Sequence, residues 1–436
     1  MYILLILFLY LKTRKYRWVI DDHILRKDYY WVCPPPKAPR GFDDTVRSPM
    51  ATFTNIGTFI LVCLLIDHLF GWKPALLYAV MPTNVGGVAW GRTGNYYMTT
   101  VFFVLAAYFF FITGTLWGLV LACILYFTAL HSTVSALPFP VLCTFINPIL
   151  SVPLYVVGLL FVVGKRFKHG IKIRKDYHKS LGFPSCELKW SNFIVATKVV
   201  GYYIALSTGF LPLGFFHDFG KQETSRKPTR LFFLSISTII LVALWGYTAS
   251  PLGIVWFFLF IGIFCQFMAG LGQFVTERYT HIANIGVCIL LANSLTYEAF
   301  IVIASVWFMI TFKYIPAWRS NESLFLQGMV SFPKCPDNYS NLGSYYMDRG
   351  MHFKAIQPLS LAIMNTTGYK FNLFVNISSC FASCGYYEKA LHWSREAFKM
   401  CEKDKIDDLR KQIFRLEARV RKVRENEKLL KAKGII

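Results

Sequence analysis

Runs of apolar residues long enough for a bilayer recur from the first residues to about position 312, and nothing else in the sequence limits the fold as strongly. A helix needs roughly 20 residues to cross the hydrocarbon core. Candidate spans are 51–70, 73–89, 97–112, 114–130, 134–147, 148–164, 193–215, 230–249, 252–274, 280–295 and 297–312. Several are short or broken by Pro82, Pro138, Pro140, Pro148 and Pro153. Such breaks are tolerated at membrane depth where the freed backbone groups are buried in protein or line a cavity. With 55% hydrophobic and 16% charged residues an ordinary soluble fold is excluded, and 40 Phe, 24 Tyr and 11 Trp exclude disorder. The expected fold class is all-α: a polytopic membrane helical bundle of about 11 spanning helices.

Before these spans, Met1 to Leu11 is apolar and is followed by Lys12, Arg14, Lys15 and Arg17. It lacks a basic leader and a small-residue cleavage site, so it reads as a first spanning helix running to about Ile20, with snorkelling basic side chains. An acidic first loop, 18–48, comes next.

The net charge of +22 would suggest nucleic acid in a soluble protein, but here it divides by segment. Residues 321–436 hold 19 basic and 12 acidic side chains, leaving 27 and 12 in the first 320. Five of those acids, Asp21, Asp22, Asp28, Asp43 and Asp44, lie in the first loop. Residues 165–179 carry Lys165, Arg166, Lys168, Lys172, Arg174, Lys175 and Lys179 against Asp176 alone. By the positive-inside rule this reads as a cytoplasmic loop, a topology signal more than a site for the anionic headgroups of membrane lipids, and no nucleic-acid partner is expected. Eleven cysteines show no CxxC and no histidine spacing for zinc, so neither a disulfide framework nor a structural metal is expected.

After the apolar region a repeat emerges: Gly350, Ala355 and Ala362 recur as Gly385, Ala390 and Ala397. Leu342, Gly343 and Tyr346 stand before the first set at the offsets of a tetratricopeptide repeat. The expected organisation is a membrane domain over 1–315, a connector over 316–337, two tetratricopeptide repeats over 338–403, and a charged capping helix and tail over 404–436. Small residues mark close helix packing in such units, and a polar terminal helix solvates the stack. The repeats are either structural or a docking surface for a protein.

Five constellations carry candidate chemistry. Asp21 and Asp22, followed by His23, come after the first apolar run; adjacent carboxylates at a membrane surface suit general-base work or a divalent cation, although Asp is also common in turns. In Met81-Pro-Thr-Asn-Val-Gly-Gly-Val-Ala-Trp90-Gly-Arg92, an arginine closes an interrupted apolar segment. It fits a phosphate or an interfacial anchor equally well. Glu277, Arg278 and Tyr279 lie between two apolar runs, where ionisable groups pair with one another or edge a functional cavity. Trp318-Arg319 marks the exit of the last span, and His217-Asp218 follows Leu211-Pro-Leu.

Taken in order, these pieces resemble the transmembrane O-mannosyltransferases with tetratricopeptide repeats, C-type glycosyltransferases that use lipid-phosphate sugars. The resemblance spans nearly the whole chain and rests on order and spacing, with Val88-Ala-Trp90-x-Arg92, Glu277-Arg278-Tyr279 and the terminal repeats as its most specific pieces. It implies transfer of a mannose-like hexose from a polyprenyl-phosphate carrier to a protein Ser or Thr hydroxyl, on the non-cytoplasmic face of a bacterial-type inner membrane or an endoplasmic reticulum membrane. In that scheme Asp21 and Asp22 are catalytic, with a divalent cation at this pair as the one cofactor considered. Arg92, Arg278 and Arg319 bind the donor phosphate, and Glu277, Tyr279, His217 and Asp218 support them. The apolar helices hold the lipid, and the repeats present the protein acceptor.

The chain departs from the family where Met81 replaces a histidine, where Gly94 and Asn95 replace an acidic residue, and where a Lys-Glu pair is missing near His131-Ser132. These departures define the alternative: a catalytically degenerate membrane scaffold or complex subunit that docks a partner through its repeats. A transporter is disfavoured because the membrane part shows no internal duplication. The catalytic reading predicts that Asp21→Asn combined with Asp22→Asn abolishes transfer from a lipid-phosphate sugar in supplied membranes, while the protein still folds. Undiminished transfer by the double variant removes the pair from catalysis.

Overall fold

The computed structural model describes residues 2–17, 19, 49–164, 192–217, 227–265, 275–366, 370–401 and 406–432. Among these residues there are nineteen α-helices and no β-strand. They fall into two compact units that divide between Leu324 and Phe325.

The first unit begins with α1 (Tyr2–Tyr10), continued by a 3-10 turn over Leu11–Lys15. Nine residues at about 1.5 Å each make α1 roughly half the thickness of a hydrocarbon core. The continuous helix expected to Ile20 therefore stops early. The Thr13 hydroxyl bonds back to the Tyr10 carbonyl (2.7 Å), and Tyr16 at ψ 158° turns the chain extended where the apolar run ends. Ile6, Leu9 and Tyr10 are fully buried, so α1 is held by protein rather than standing alone.

Then follow α2 (Pro49–Phe70), α3 (Trp72–Val80), α4 (Val85–Ala89), α5 (Gly91–Ile112), α6 (Leu116–Ser132), α7 (Phe139–Thr144), α8 (Pro148–Val163), α9 (Asn192–Ser207), α10 (Arg230–Ala249), α11 (Pro251–Gly262), α12 (Ala283–Ser294) and α13 (Tyr297–Tyr314). Four stretches are long and apolar enough to cross a membrane by length and composition: Met50–Phe70, Thr93–Ile112, Arg230–Ala249 and Tyr297–Arg319. The other apolar helices are shorter. In the most apolar window of Arg230–Ala249 only 11% is buried, and Leu241 and Leu244 lie open. Leu116, Trp117, Ile149, Leu159 and Leu160 are exposed in the same way. Exposed apolar surface on this scale is rare on soluble monomers and is what a lipid-facing side needs.

The expected span 73–89 breaks in two. A residue before proline is pushed out of helical geometry, and Met81, preceding Pro82, sits at φ −65°, ψ 122°. Beyond a short 3-10 turn, α4 restarts the helix for five residues and packs against α5 so closely that a Cβ on Gly94 would stand 2.6 Å from the Gly86 carbonyl oxygen. The run expected to reach 215 stops at Ser207, before Gly209 at φ +74° and Pro212.

The second unit contains α15 (Pro336–Asp348), α16 (His352–Asn365), α17 (Phe371–Ser383), α18 (Tyr387–Lys399) and α19 (Ile406–Ala432), reached through α14 (Asn321–Ser331). The starts of α15, α17 and α19 are spaced by 35 residues, as are those of α16 and α18. Each hairpin turns on a left-handed glycine, Gly350 at φ +71° and Gly385 at φ +84°. Ala355, Ala362, Ala390 and Ala397 are all fully buried where the helices meet. One further 35-residue step reaches Val420, which is buried inside α19; the turn is absent and the helix runs on. Leu409, Leu416 and Val420 seat α19, while Arg395–Glu417 (2.9 Å) and Arg424–Glu388 (2.8 Å) are exposed pairs that add little.

A methyl group added at Gly385 would meet open space, so Gly385→Ala tests the backbone alone. It is expected to cost about 1–2 kcal/mol, the left-handed penalty of an L-residue. The check is earlier proteolytic cleavage in the second unit on warming, and an unshifted profile would show that the turn has relaxed.

Candidate functional site

The site grows out of the broken segment between α3 and α5. A helix that stops inside an apolar body strands its carbonyls, and each needs a donor. Three side chains supply them. Asn84 Nδ2 donates to the Tyr78 carbonyl (3.0 Å), the Thr311 hydroxyl to the Val80 carbonyl (2.7 Å), and Asn55 Nδ2 to the carbonyls of Val88 (3.1 Å) and Gly91 (2.7 Å).

Behind the break lies a buried polar network. Asn284 Nδ2 donates toward Asn84 Oδ1 (2.9 Å), the Thr83 hydroxyl (3.0 Å) and the Thr280 hydroxyl (3.1 Å). His281 Nδ1 lies 3.3 Å from Asn84 Oδ1, and the Tyr78 hydroxyl donates to the His281 carbonyl (3.0 Å). The Ser207 hydroxyl donates to Asn284 Oδ1 (3.4 Å). Ser207 also borders an apolar cavity of about 200 Å³ between α9, α10, α11, α12 and α13, where Phe257, Leu291 and Trp307 form part of the wall.

In front of the break, the turn over Glu277–Tyr279 meets the loop after α9. Glu277 is 4% exposed. Its Oε1 accepts from the Gly214 N–H (2.8 Å) and lies 3.5 Å from His217 Nε2, and its Oε2 accepts from the Tyr314 hydroxyl (3.2 Å). The other ring nitrogen of His217 faces the Tyr202 hydroxyl at 3.3 Å. Burying a carboxylate is expensive unless its lone pairs are satisfied, and here two other segments, the loop after α9 and the end of α13, satisfy them. One carboxylate thus pins the loop 208–217, the end of α13 and its own turn together.

That pinning sets an aromatic wall. Phe215 meets Trp90 edge-on (4.9 Å, 84°) and Trp318 at 6.2 Å, and Trp90 and Trp318 lie 5.8 Å apart. The half-buried Arg278 guanidinium sits over Phe215 (5.7 Å) and Tyr279 (5.2 Å), while Tyr279 stacks on Phe264 at 4.1 Å. A guanidinium held over aromatic faces keeps its charge and loses little freedom on meeting an anion.

The start of the first loop is tied to this wall. The Arg17 N–H donates to the Arg319 carbonyl (2.9 Å), and Trp90 Nε1–H donates to the Val19 carbonyl (3.2 Å). The chain is therefore anchored two residues before Asp21.

Of the residues singled out from sequence, Glu277, Arg278, Tyr279 and His217 come together here. The Arg319 backbone joins them, while its side chain is exposed. Arg92 belongs to the first turn of α5, but its side chain lies outside the described residues, as do Asp21, Asp22 and Asp218. The cation considered for Asp21 and Asp22 falls outside them too. Among the described residues no three His, Cys, Asp or Glu side chains are placed to share a metal ion. The structure adds Tyr314, Tyr202, Phe215, Asn55 and Asn284, and it gives Asn84, inside the Met81–Arg92 stretch, a role of its own. The three asparagines had a signal, because an amide in or beside an apolar run needs a buried partner; the aromatics had none.

Searches against protein-family models, curated proteins and solved structures return no match for this chain.

The Glu277 arrangement predicts unequal costs. Glu277→Ala strands the Gly214 N–H and the Tyr314 hydroxyl, at about 1–3 kcal/mol for each group, whereas Glu277→Gln keeps one acceptor oxygen and loses less. Thermal unfolding in detergent should rank the parent above Glu277→Gln and Glu277→Ala lowest. Equal midpoints for all three would mean that the carboxylate organises nothing.

Proposed function

We propose that this chain is a membrane glycosyltransferase that moves a mannose-like hexose from a polyprenyl-phosphate carrier to a Ser or Thr hydroxyl of a protein, on the non-cytoplasmic face. The observation that supports the reading best is convergence. Trp90, His217, Glu277-Arg278-Tyr279 and Trp318-Arg319, scattered over some 230 residues, gather around the backbone that leads into Asp21-Asp22. The reading includes a bundle of about 11 spanning helices with the C-type glycosyltransferase architecture, followed by two tetratricopeptide repeats.

In this reaction the acceptor oxygen forms a bond to the anomeric carbon, and the bond from that carbon to the phosphate oxygen breaks. The electron pair leaves with the lipid phosphate, and the hydroxyl proton goes to Asp21, with Asp22 assisting. Arg278 and Arg92 stabilise the charge that grows on the phosphate, and Arg319 reinforces them from the exposed rim. Fixed donors in a site with little water are well suited to this work, since no solvent must reorganise as charge develops. Glu277 touches no substrate; it holds the loop carrying Phe215 and so positions Arg278. The apolar cavity beside Ser207 gives part of the lipid an apolar lodging near the polar network.

A second reading, a degenerate scaffold or complex subunit, is favoured by one observation: Met81, where the family carries histidine, is fully buried with its sulfur 4.0 Å from Cys288 Sγ, an apolar contact rather than a catalytic one.

Arg278 separates the two. Arg278→Ala should lower transfer from a lipid-phosphate sugar by about 100-fold, the size of effect seen when one charge-stabilising donor is removed. Arg278→Lys should recover part of it, because the ammonium keeps the charge but loses the planar stacking. A parent chain that transfers no sugar, with all variants equally silent, supports the scaffold instead.

A further inference from the structure

The second unit has an open groove of about 740 Å³, formed along α16 with contributions from α14, α15, the end of α17 and the start of α18. Its floor is aliphatic and aromatic, with Phe353 73% exposed and Tyr386 49% exposed. Among its lining residues the only charged side chains are Lys354 and Lys389, and no acid is present. These lysines occupy the same place in successive hairpins, third residue of α16 and third residue of α18. Both are exposed. Lys389 Nζ rests 5.5 Å from the Tyr386 ring centre and 5.7 Å from that of Phe381, which holds its charge at the edge of the aromatic floor.

A surface this apolar needs an occupant of matching chemistry, and the charges say which. A floor of rings with an ammonium at each of two repeat-related positions complements a ligand with apolar side chains between two anionic groups. Packed helices stand about 8–10 Å apart, so equivalent positions two helices along are at most roughly 20 Å apart. An extended peptide advances about 3.3 Å per residue, so carboxylates about four to six residues apart reach both lysines. We propose that the groove docks an extended acidic segment of a partner protein, its carboxylates on Lys354 and Lys389 and an aromatic or aliphatic side chain on Phe353 and Tyr386. This goes beyond sugar transfer and does not depend on it, because the groove lies wholly in the second unit.

The test uses the full chain in detergent and a fluorescent peptide, roughly twelve residues long, that alternates Asp and Glu pairs with Leu and Phe. Fluorescence anisotropy should show saturable binding, while an isosteric peptide with Asn and Gln in place of the acids binds much more weakly. Lys354→Glu with Lys389→Glu should weaken binding of the acidic peptide by about tenfold, and Phe353→Ala should weaken both peptides. For the parent protein, raising salt from about 50 mM to about 500 mM should weaken the acidic peptide alone, since screening acts on charge. This salt arm decides the matter even if the double variant misfolds. Equal affinity for the two peptides, or no salt dependence, overturns the proposal in favour of a purely apolar groove. Binding of anionic vesicles that the acidic peptide does not displace overturns it in favour of a lipid surface. No arm contains a donor lipid, so the result is independent of whether the chain transfers sugar.

Discussion

A helix that ends inside an apolar body must find donors for the carbonyls it abandons, and much of the first unit is arranged around that demand. The break between Val80 and Trp90 is closed by Asn84 from within, by Asn55 on α2 and by Thr311 on α13. Because each donor belongs to a different segment, the break fixes where those segments stand. Asn284 and His281 then fix Asn84 itself. With no water at that depth, an amide left alone costs more than it does at a surface, so such a network is complete or it is a defect.

Glu277 repeats the logic with a charge. Its carboxylate gathers Gly214, His217 and Tyr314, and what it gathers is the frame of the aromatic wall on which Arg278 lies. For the proposed transfer this frame is what counts: an arginine held over Phe215 and Tyr279 would meet a phosphate in one place, whereas one free in solvent would meet it anywhere. The tie from Trp90 to the Val19 carbonyl holds Val19 at the same wall.

The second unit rests on other physics. Its helices meet through buried alanines and turn on left-handed glycines, so the 35-residue period is a packing period. Where that period calls for another glycine, Val420 stands instead, and α19 continues past the place of the turn. A bulky residue buried at a helical φ removes the turn as surely as glycine permits it.

Particular residues show what was readable in advance. Apolar run length announced a membrane body, and four described helices meet the length and composition that crossing requires. Pro82 announced a break, and Gly350 and Gly385 a repeat with two turns. These signals are local: each is a property of a residue and its neighbours in the chain. Run length did not show that α1 ends at Tyr10, where the Thr13 hydroxyl bonds back to the Tyr10 carbonyl, nor that the extended chain beyond it is tied to the Arg319 carbonyl, some 300 residues away. The motif Glu277-Arg278-Tyr279 stood out as ionisable groups in an apolar region, but its partners Tyr314 and Gly214 carried no mark, since a tyrosine and a glycine suit many sites. By itself, then, the sequence determined the apolar, all-helical character of the first unit, the helical period of the second and the break at Pro82. Only the tertiary structure decided which side chains answer that break and which aromatic faces hold Arg278, because a hydrogen bond or a stacked ring is a fact of distance in space, and a sequence records distance only along the chain.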